Sequence, residues 1–322
     1  MTRAFNERAV HFGRSGSLLG ILSRPSPEIE VRKPAVVLLN TGIAHRVGHH
    51  RMYVTMAREL AALGHLVFRF DFSGIGDSAP RAGDLNPVEA HQSDVSEALD
   101  WLTRSCDVTE VVLVGLCMGA EIALRFGHSD PRVSGLVLLD PEIPPTRRFY
   151  VNYTRHRLLR LSSWRSFMGG RGLVWDGFAA KARSALGEDA AQLPSASVQN
   201  LHGELRELYL KTFERGLNVL VVVAGQALDG RYREQFYDAF PDVPMRDWIA
   251  FEYFEDADHT FNSAEIRGAL QALVLRWVTA LPAAATRDLP EAASGDMACE
   301  GFQPGGESGN SASPRPHLQI IK

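Results

Sequence analysis

Residues 110–123 read Glu-Val-Val-Leu-Val-Gly-Leu-Cys-Met-Gly-Ala-Glu-Ile-Ala. Val111 to Val114 form a short apolar run, rich in β-branched residues, that suits a strand buried on both faces. Gly115-Leu116-Cys117-Met118-Gly119 follows, and then the small and apolar helix formers Ala120, Ile122, Ala123 and Leu124. A strand, a tight Gly-x-nucleophile-x-Gly turn and a helix make an elbow that lifts one side chain above a sheet. The turn is sharp, so a side chain at Gly115 or Gly119 would collide with the neighbouring strand or helix. The lifted group is the Cys117 thiol, with a helix N-terminus behind it.

Working outward, the chain alternates strands and helices. Residues 10–12 and 18–22 flank a Gly/Ser turn and predict an antiparallel hairpin. Residues 35–39 read as a buried strand that runs into Asn40-Thr41-Gly42-Ile43-Ala44-His45-Arg46. Helical periodicity over 52–63 places Tyr53, Met56, Ala57, Leu60 and Leu63 on one face, and Gly64 follows as a C-cap would. Residues 65–70 predict a strand, 88–102 a helix, 136–139 a strand stopped by Asp140-Pro141. The alternation breaks over 141–216, which is rich in arginine and aromatics and reads as helices inserted on the sheet. Strands resume at 217–224 and 248–254, with a helix near 232–240 between them and a closing helix over 264–281. From 282 the composition shifts to Ala, Gly, Ser and Pro, the signature of a disordered tail. The expected organisation is a core of 1–140 and 217–281, a helical lid of 141–216 and a tail of 282–322. The expected fold class is α/β, a mostly parallel sheet with helices on both faces.

The 322 residues suffice for one large α/β domain. A net charge of -4 gives no nucleic-acid footprint. No apolar run reaches the ~20 residues that cross a bilayer, and the N-terminus lacks the apolar stretch of a signal peptide. Three scattered cysteines, Cys106, Cys117 and Cys299, fit a reducing cytoplasm and have no metal-ligand spacing. Cys106 and Cys299 read as structural or incidental. No metal or redox cofactor is expected.

A thiol at an elbow needs a base, and the base needs an orienting carboxylate. The order nucleophile, acid, histidine points to Cys117, Asp229 and His259, with Asp229 and His259 in loops after late strands. Asp256, Asp258 and, more weakly, Asp140 compete with Asp229 for the acid's role.

Four pieces taken together resemble the α/β-hydrolase superfamily over residues 8–281. They are Asn40-Thr41-Gly42 after a buried strand, residues 71–78 (Asp-Phe-Ser-Gly-Ile-Gly-Asp-Ser), the Gly115–Gly119 elbow, and Asp258-His259-Thr260-Phe261. The chain looks closest to serine-aminopeptidase-like hydrolases with a helical lid, except that cysteine stands where they carry serine, as it does in dienelactone hydrolases and polyhydroxyalkanoate synthases. The resemblance implies an oxyanion hole made by the N–H groups of Met118 and Ile43. A thiol nucleophile favours esters and thioesters over amides, so acyl transfer from a small-molecule ester or thioester through an acyl-Cys117 intermediate is expected, and the arginine-rich stretch from Arg147 to Arg165 is a weak hint of a donor carried by coenzyme A or a carrier protein. Gly42, His45 and Arg46 are candidate substrate contacts. The basic run over 45–51 either grips a substrate carboxylate or phosphate or forms a solvated helix entry. The Asp71-to-Ser78 loop lacks the lysine of a phosphate loop and reads as a structural turn. Three functions remain open on these residues: a hydrolase, an acyltransferase or cyclase that passes the acyl group to an amine or hydroxyl, and an idle binding module that keeps the fold.

Overall fold

A computed structural model describes residues 4–81, 83–159 and 196–281. The strands are β1 (Phe5–Phe12), β2 (Leu18–Pro25), β3 (Arg32–Leu39), β4 (His65–Phe70), β5 (Val111–Leu116), β6 (Val133–Leu139), β7 (Asn218–Ala224) and β8 (Ile249–Phe254). The helices, numbered in chain order, are α1 (Met52–Ala62), α2 (Pro87–Cys106), α3 (Met118–Gly127), α4 (Arg147–Leu159), α5 (Ala196–Glu214), α6 (Gln235–Ala239), α7 (Met245–Trp248) and α8 (Ala264–Ala280). The centre of the expected lid, the tail from 282 and Cys299 lie outside the described residues.

The strands form one sheet in the order β1-β2-β4-β3-β5-β6-β7-β8. The hairpin β1–β2 and the pair β2–β4 are antiparallel, and every later pair is parallel. Alternation sorts the buried strand residues between two cores. Val37, Leu39, Val111 and Leu113 join one core with α2, α3 and α5. Val36, Leu38, Val112 and Val114 join the other with α1 and α8. A strand covered on both faces has no solvent side, which is why its sequence reads as an unbroken apolar run.

Helix α2 starts with a full capping box: Asn86 accepts from the Glu89 N–H, and the Glu89 side chain accepts from the Asn86 N–H. Helix α5 corrects the expected boundary of the insertion. Its Leu205, Leu208 and Tyr209 are buried in the first core, so this part of 141–216 is core.

Register places the functional edge. Leu39 pairs with Gly115, Leu116 with Leu139, and Ala224 with Phe254. The parallel strands therefore end together, and their exits bring residues 40–46, 117, 140, 225–231 and 255–259 to one rim. Ligands bind at that rim in open α/β sheets.

Candidate active site

Cys117 sits between β5 and α3 with φ 55° and ψ -116°, a left-handed conformation that costs a non-glycine residue energy. The surrounding glycines are obligatory on steric grounds. A Cβ on Gly115 would lie 2.1 Å from the Gly119 carbonyl carbon, and one on Gly119 would lie 2.6 Å from the Asn40 oxygen. The Cys117 N–H donates to the Leu139 oxygen at 3.0 Å, which ties the elbow to β6. Beneath the elbow, the Leu116 N–H donates to the buried Tyr53 hydroxyl at 3.0 Å. The same hydroxyl shares a 3.3 Å hydrogen bond with Thr41 Oγ1. One phenol thus joins the elbow strand to the 40–46 loop; burial pushes its pKa up to about 12, so it stays neutral.

His259, in the loop after β8, hydrogen-bonds Asp140 Oδ2 through Nδ1. The ring also interacts with the Cys117 thiol, and each group shifts the other's pKa. The carboxylate on the imidazole is thus Asp140, and the expectation for Asp229 is corrected. The reason is strand order. Leu116 pairs with Leu139, so the next residues, Cys117 and Asp140, leave adjacent strands side by side, whereas β7 is one strand further away. The 225–231 loop turns a cation toward the site: Arg231 Nη1 pairs with Asp140 Oδ1. The Ala224 N–H donates to the same oxygen at 3.1 Å. Asp140 is wholly buried and left-handed, with φ 43°. The sequence signal for it was an Asp-Pro directly after the strand that neighbours the elbow strand. For Arg231 there was none.

The electrostatics agree with the geometry. The Asp140 carboxylate, and then the sulfur, raise the His259 pKa to about 10 against the opposing effect of burial. The hydrogen bond from His259 lowers the Cys117 pKa, and burial opposes it less strongly; the Met118 N–H adds to the lowering and the Asp140 charge works against it. A thiolate beside an imidazolium is the resting arrangement these shifts favour.

The 40–46 loop is firmly held. Asn40 Nδ2 donates to the Ala44 oxygen at 2.8 Å, and Asn40 Oδ1 accepts from the Phe72 N–H at 3.0 Å. At its tip, Gly42 has φ +52° and open space where a Cβ would be, and Ile43 is 95% exposed. Arg46 is drawn into ion pairs within the fold. Its guanidinium pairs with the buried Asp71 and, at 2.7 Å, with Asp77. His45 is exposed, and the Val47 N–H donates to its Nδ1 at 3.4 Å. The 71–78 loop is the structural turn its sequence suggests: a Cβ on Gly76 would lie 2.4 Å from Asp71 Oδ2. Among the described residues no group of three or more His, Cys, Asp or Glu is placed to hold a metal ion.

Helix α4 sits against the loop that carries Arg231. A Cβ on Gly230 would lie 2.8 Å from the Tyr153 nitrogen, and the Arg148 guanidinium lies 4.2 Å from the centre of the Tyr232 ring. No helix among the described residues is long and apolar enough to cross a membrane.

A model of the serine aminopeptidase, S33, family matches residues 32–168. No curated protein matches the chain. Among solved structures, the chain is similar to XC6422 from Xanthomonas campestris, described as an α/β serine hydrolase without lid. That match has 18% identity and a TM-score of 0.50, and covers 88% of this chain and 99% of that one. The Pyrococcus furiosus esterase Pf2001 matches at 14% identity and TM-score 0.52, over 85% and 90% of the two chains. The hypothetical protein PA2218 from Pseudomonas aeruginosa matches at 16% and 0.53, over 86% and 94%. Strand order, elbow and these neighbours agree: the chain has the α/β-hydrolase fold.

Proposed function

We propose that this protein is an acyl hydrolase that cleaves an ester or thioester through an acyl-Cys117 intermediate. The observation that carries the reading is a single imidazole, His259, hydrogen-bonded to a buried carboxylate and electrostatically coupled to the thiol of a strained elbow. The Cys117 thiolate attacks the acyl carbon, and the carbonyl electrons move onto oxygen. The N–H groups of Met118 and Ile43 are the donors assigned to that oxyanion, and such donors are worth ~3–4 kcal/mol each by single deletions. Protonated His259 gives its proton to the departing alkoxide or thiolate, leaving a thioester on Cys117. A water then attacks that thioester and gives its proton to His259. The Cys117 thiolate leaves, the acid is released, and Asp140 keeps the ring in register throughout.

The sulfur narrows the substrate. In a tetrahedral intermediate a thiolate leaves more readily than an amine, so amide cleavage is disfavoured, while esters and thioesters present leaving groups that compete. Peptide bonds, which the name of the matching family denotes as substrates, are for that reason disfavoured here.

Intact-protein mass spectrometry after brief exposure to short and medium acyl thioesters tests the reading. A transient adduct of one acyl group is expected, absent in Cys117→Ala, that decays in water alone. Decay only on addition of amines or alcohols would make the protein an acyltransferase. No adduct, together with a Cys117 inert to iodoacetamide near neutral pH, would leave a non-catalytic binding module.

A further inference from the structure

Arg231 has no part in the steps above, yet its position is unusual. Its guanidinium is 6% exposed and lies against a carboxylate that is wholly buried. Nη1 pairs with Asp140 Oδ1 and also donates to the Ala224 oxygen at 3.1 Å, while Nε is buried with no hydrogen-bond partner among the described residues. Asp140 divides its two oxygens: Oδ1 takes Arg231 and the Ala224 N–H, and Oδ2 takes His259. A buried ion pair with an orphaned donor is a poor device for stability, since apolar residues of similar volume often do as well or better. Its value must be sought at the site.

We propose that Arg231 is a positioning residue for the reaction above: it holds Asp140 with Oδ2 toward His259 and cancels its charge, so that the acid orients the imidazole without opposing the negative sulfur. The inference rests on the reading of Cys117 as nucleophile. A serine nucleophile is neutral at rest, and a bare carboxylate behind the histidine helps it lose a proton. A cysteine nucleophile is charged at rest, and a bare carboxylate nearby works against that charge. Asp140 does raise the Cys117 pKa. A carboxylate already matched by a guanidinium behaves toward the sulfur much as a neutral amide would, and cysteine triads elsewhere use asparagine at this place.

The remaining charged groups around the triad leave this role to Arg231. His49, before α1, interacts with His50, with the His259 ring and with Asp258, which lies beside His259. Tyr253 on β8 interacts with Arg231 itself. Glu142, two residues after Asp140, interacts with Glu121 and Arg125 instead.

The test is the pH dependence of Cys117 alkylation by iodoacetamide, followed by mass spectrometry, with a thermal melt of each variant. In the native protein the midpoint should fall well below the ~8.5 of a free thiol. Arg231→Met should raise it by roughly one unit, a tenfold loss of thiolate at lower pH, and Arg231→Lys should leave it near the native value. Where Arg231→Met fails to fold, Asp140→Asn and the double variant Asp140→Asn/Arg231→Met carry the test without a buried lone carboxylate. The midpoint should be lowest in the single variant and rise by a similar step in the double. Coincident midpoints within both pairs would overturn the role of Arg231 while leaving Cys117 an activated thiol. A native midpoint at or above that of a free thiol would instead overturn the nucleophile itself.

Discussion

Asp140 and Asp229 stand at the exits of neighbouring strands, and only the first meets His259 Nδ1. Asp140→Ala should slow acyl-Cys117 formation by roughly 10²–10⁴-fold, because the imidazole loses its orienter. Asp229→Ala should stay within about twofold of the native rate. Single-turnover acylation, corrected for the folded fraction, compares the two, and equal losses would return the assignment to Asp229. The histidine also makes a pH prediction whose sign is fixed. His259 gains its partners only on folding, and its pKa rises from 6.5 to about 10. A raised pKa means that the native state holds the proton more tightly than the unfolded chain does. The stability this contributes is complete below about 6.5, declines as pH rises, and is gone by about 10. Because the depressed Cys117 thiol acts with the opposite sign, the measurement belongs in the Cys117→Ala protein. There, with Asp140 alone supporting the charge, the melting-temperature gap between His259 and His259→Gln should close as pH rises above 6.5, and sooner than the native protein's about 10; a gap that widens would contradict the Asp140–His259 pairing.

At the scale of the element, the elbow is a strained turn that its neighbours hold in place. The positive φ of Cys117 survives because β5 is fixed on both sides and α3 starts at once behind it. Gly115 is the closest point of that arrangement. Gly115→Ala should destabilise the fold by at least about 3 kcal/mol, since the atoms in the way are backbone and cannot swing aside. Gly203→Ala is the matching control. Gly203 lies within α5 with nothing near its missing Cβ, so the same substitution should stabilise by about 0.5–1 kcal/mol. Urea titration of both variants reads the contrast, and a mild Gly115→Ala would mean that the turn is looser than its contacts indicate. Tyr53 shows how an element serves a site without entering it. Its ring is one more apolar position on the inner face of α1, while its hydroxyl links Leu116 to Thr41.

At the scale of the whole molecule, the question is which parts of 141–216 belong to the core. Helix α5 does. Tyr209 is wholly buried, with ring centroids 5.5 Å from Phe236 and 5.2 Å from Phe240. Its hydroxyl has no hydrogen-bond partner among the described residues. Tyr209→Phe keeps the aromatic cluster and removes an uncompensated polar group, so the protein should gain about 1–2 kcal/mol. A loss of stability on equilibrium unfolding would reveal a partner for that hydroxyl.

Local pattern was enough for the architecture. Apolar β-branched runs alternating with helical periodicity identified every strand of the parallel sheet, the N-terminal hairpin and the elbow, because burial on two faces and the Gly-x-Cys-x-Gly turn impose constraints that a short stretch of chain carries by itself. Cys117 and His259 were legible for the same reason: each has a fixed place in a strand-to-loop exit. The acid was not. Asp140 directly follows its strand and Asp229 lies in the loop beyond the next one, and the choice between them depends on which strand lies next to β5, a property of the pairing order. Arg46 looked like a free cation until Asp71 was brought beneath it, and Arg231 acquired meaning only when folding set it against Asp140. Long-range pairing of buried charges is decided by tertiary contact, since a carboxylate and a guanidinium some ninety residues apart bear no mark in sequence of being partners.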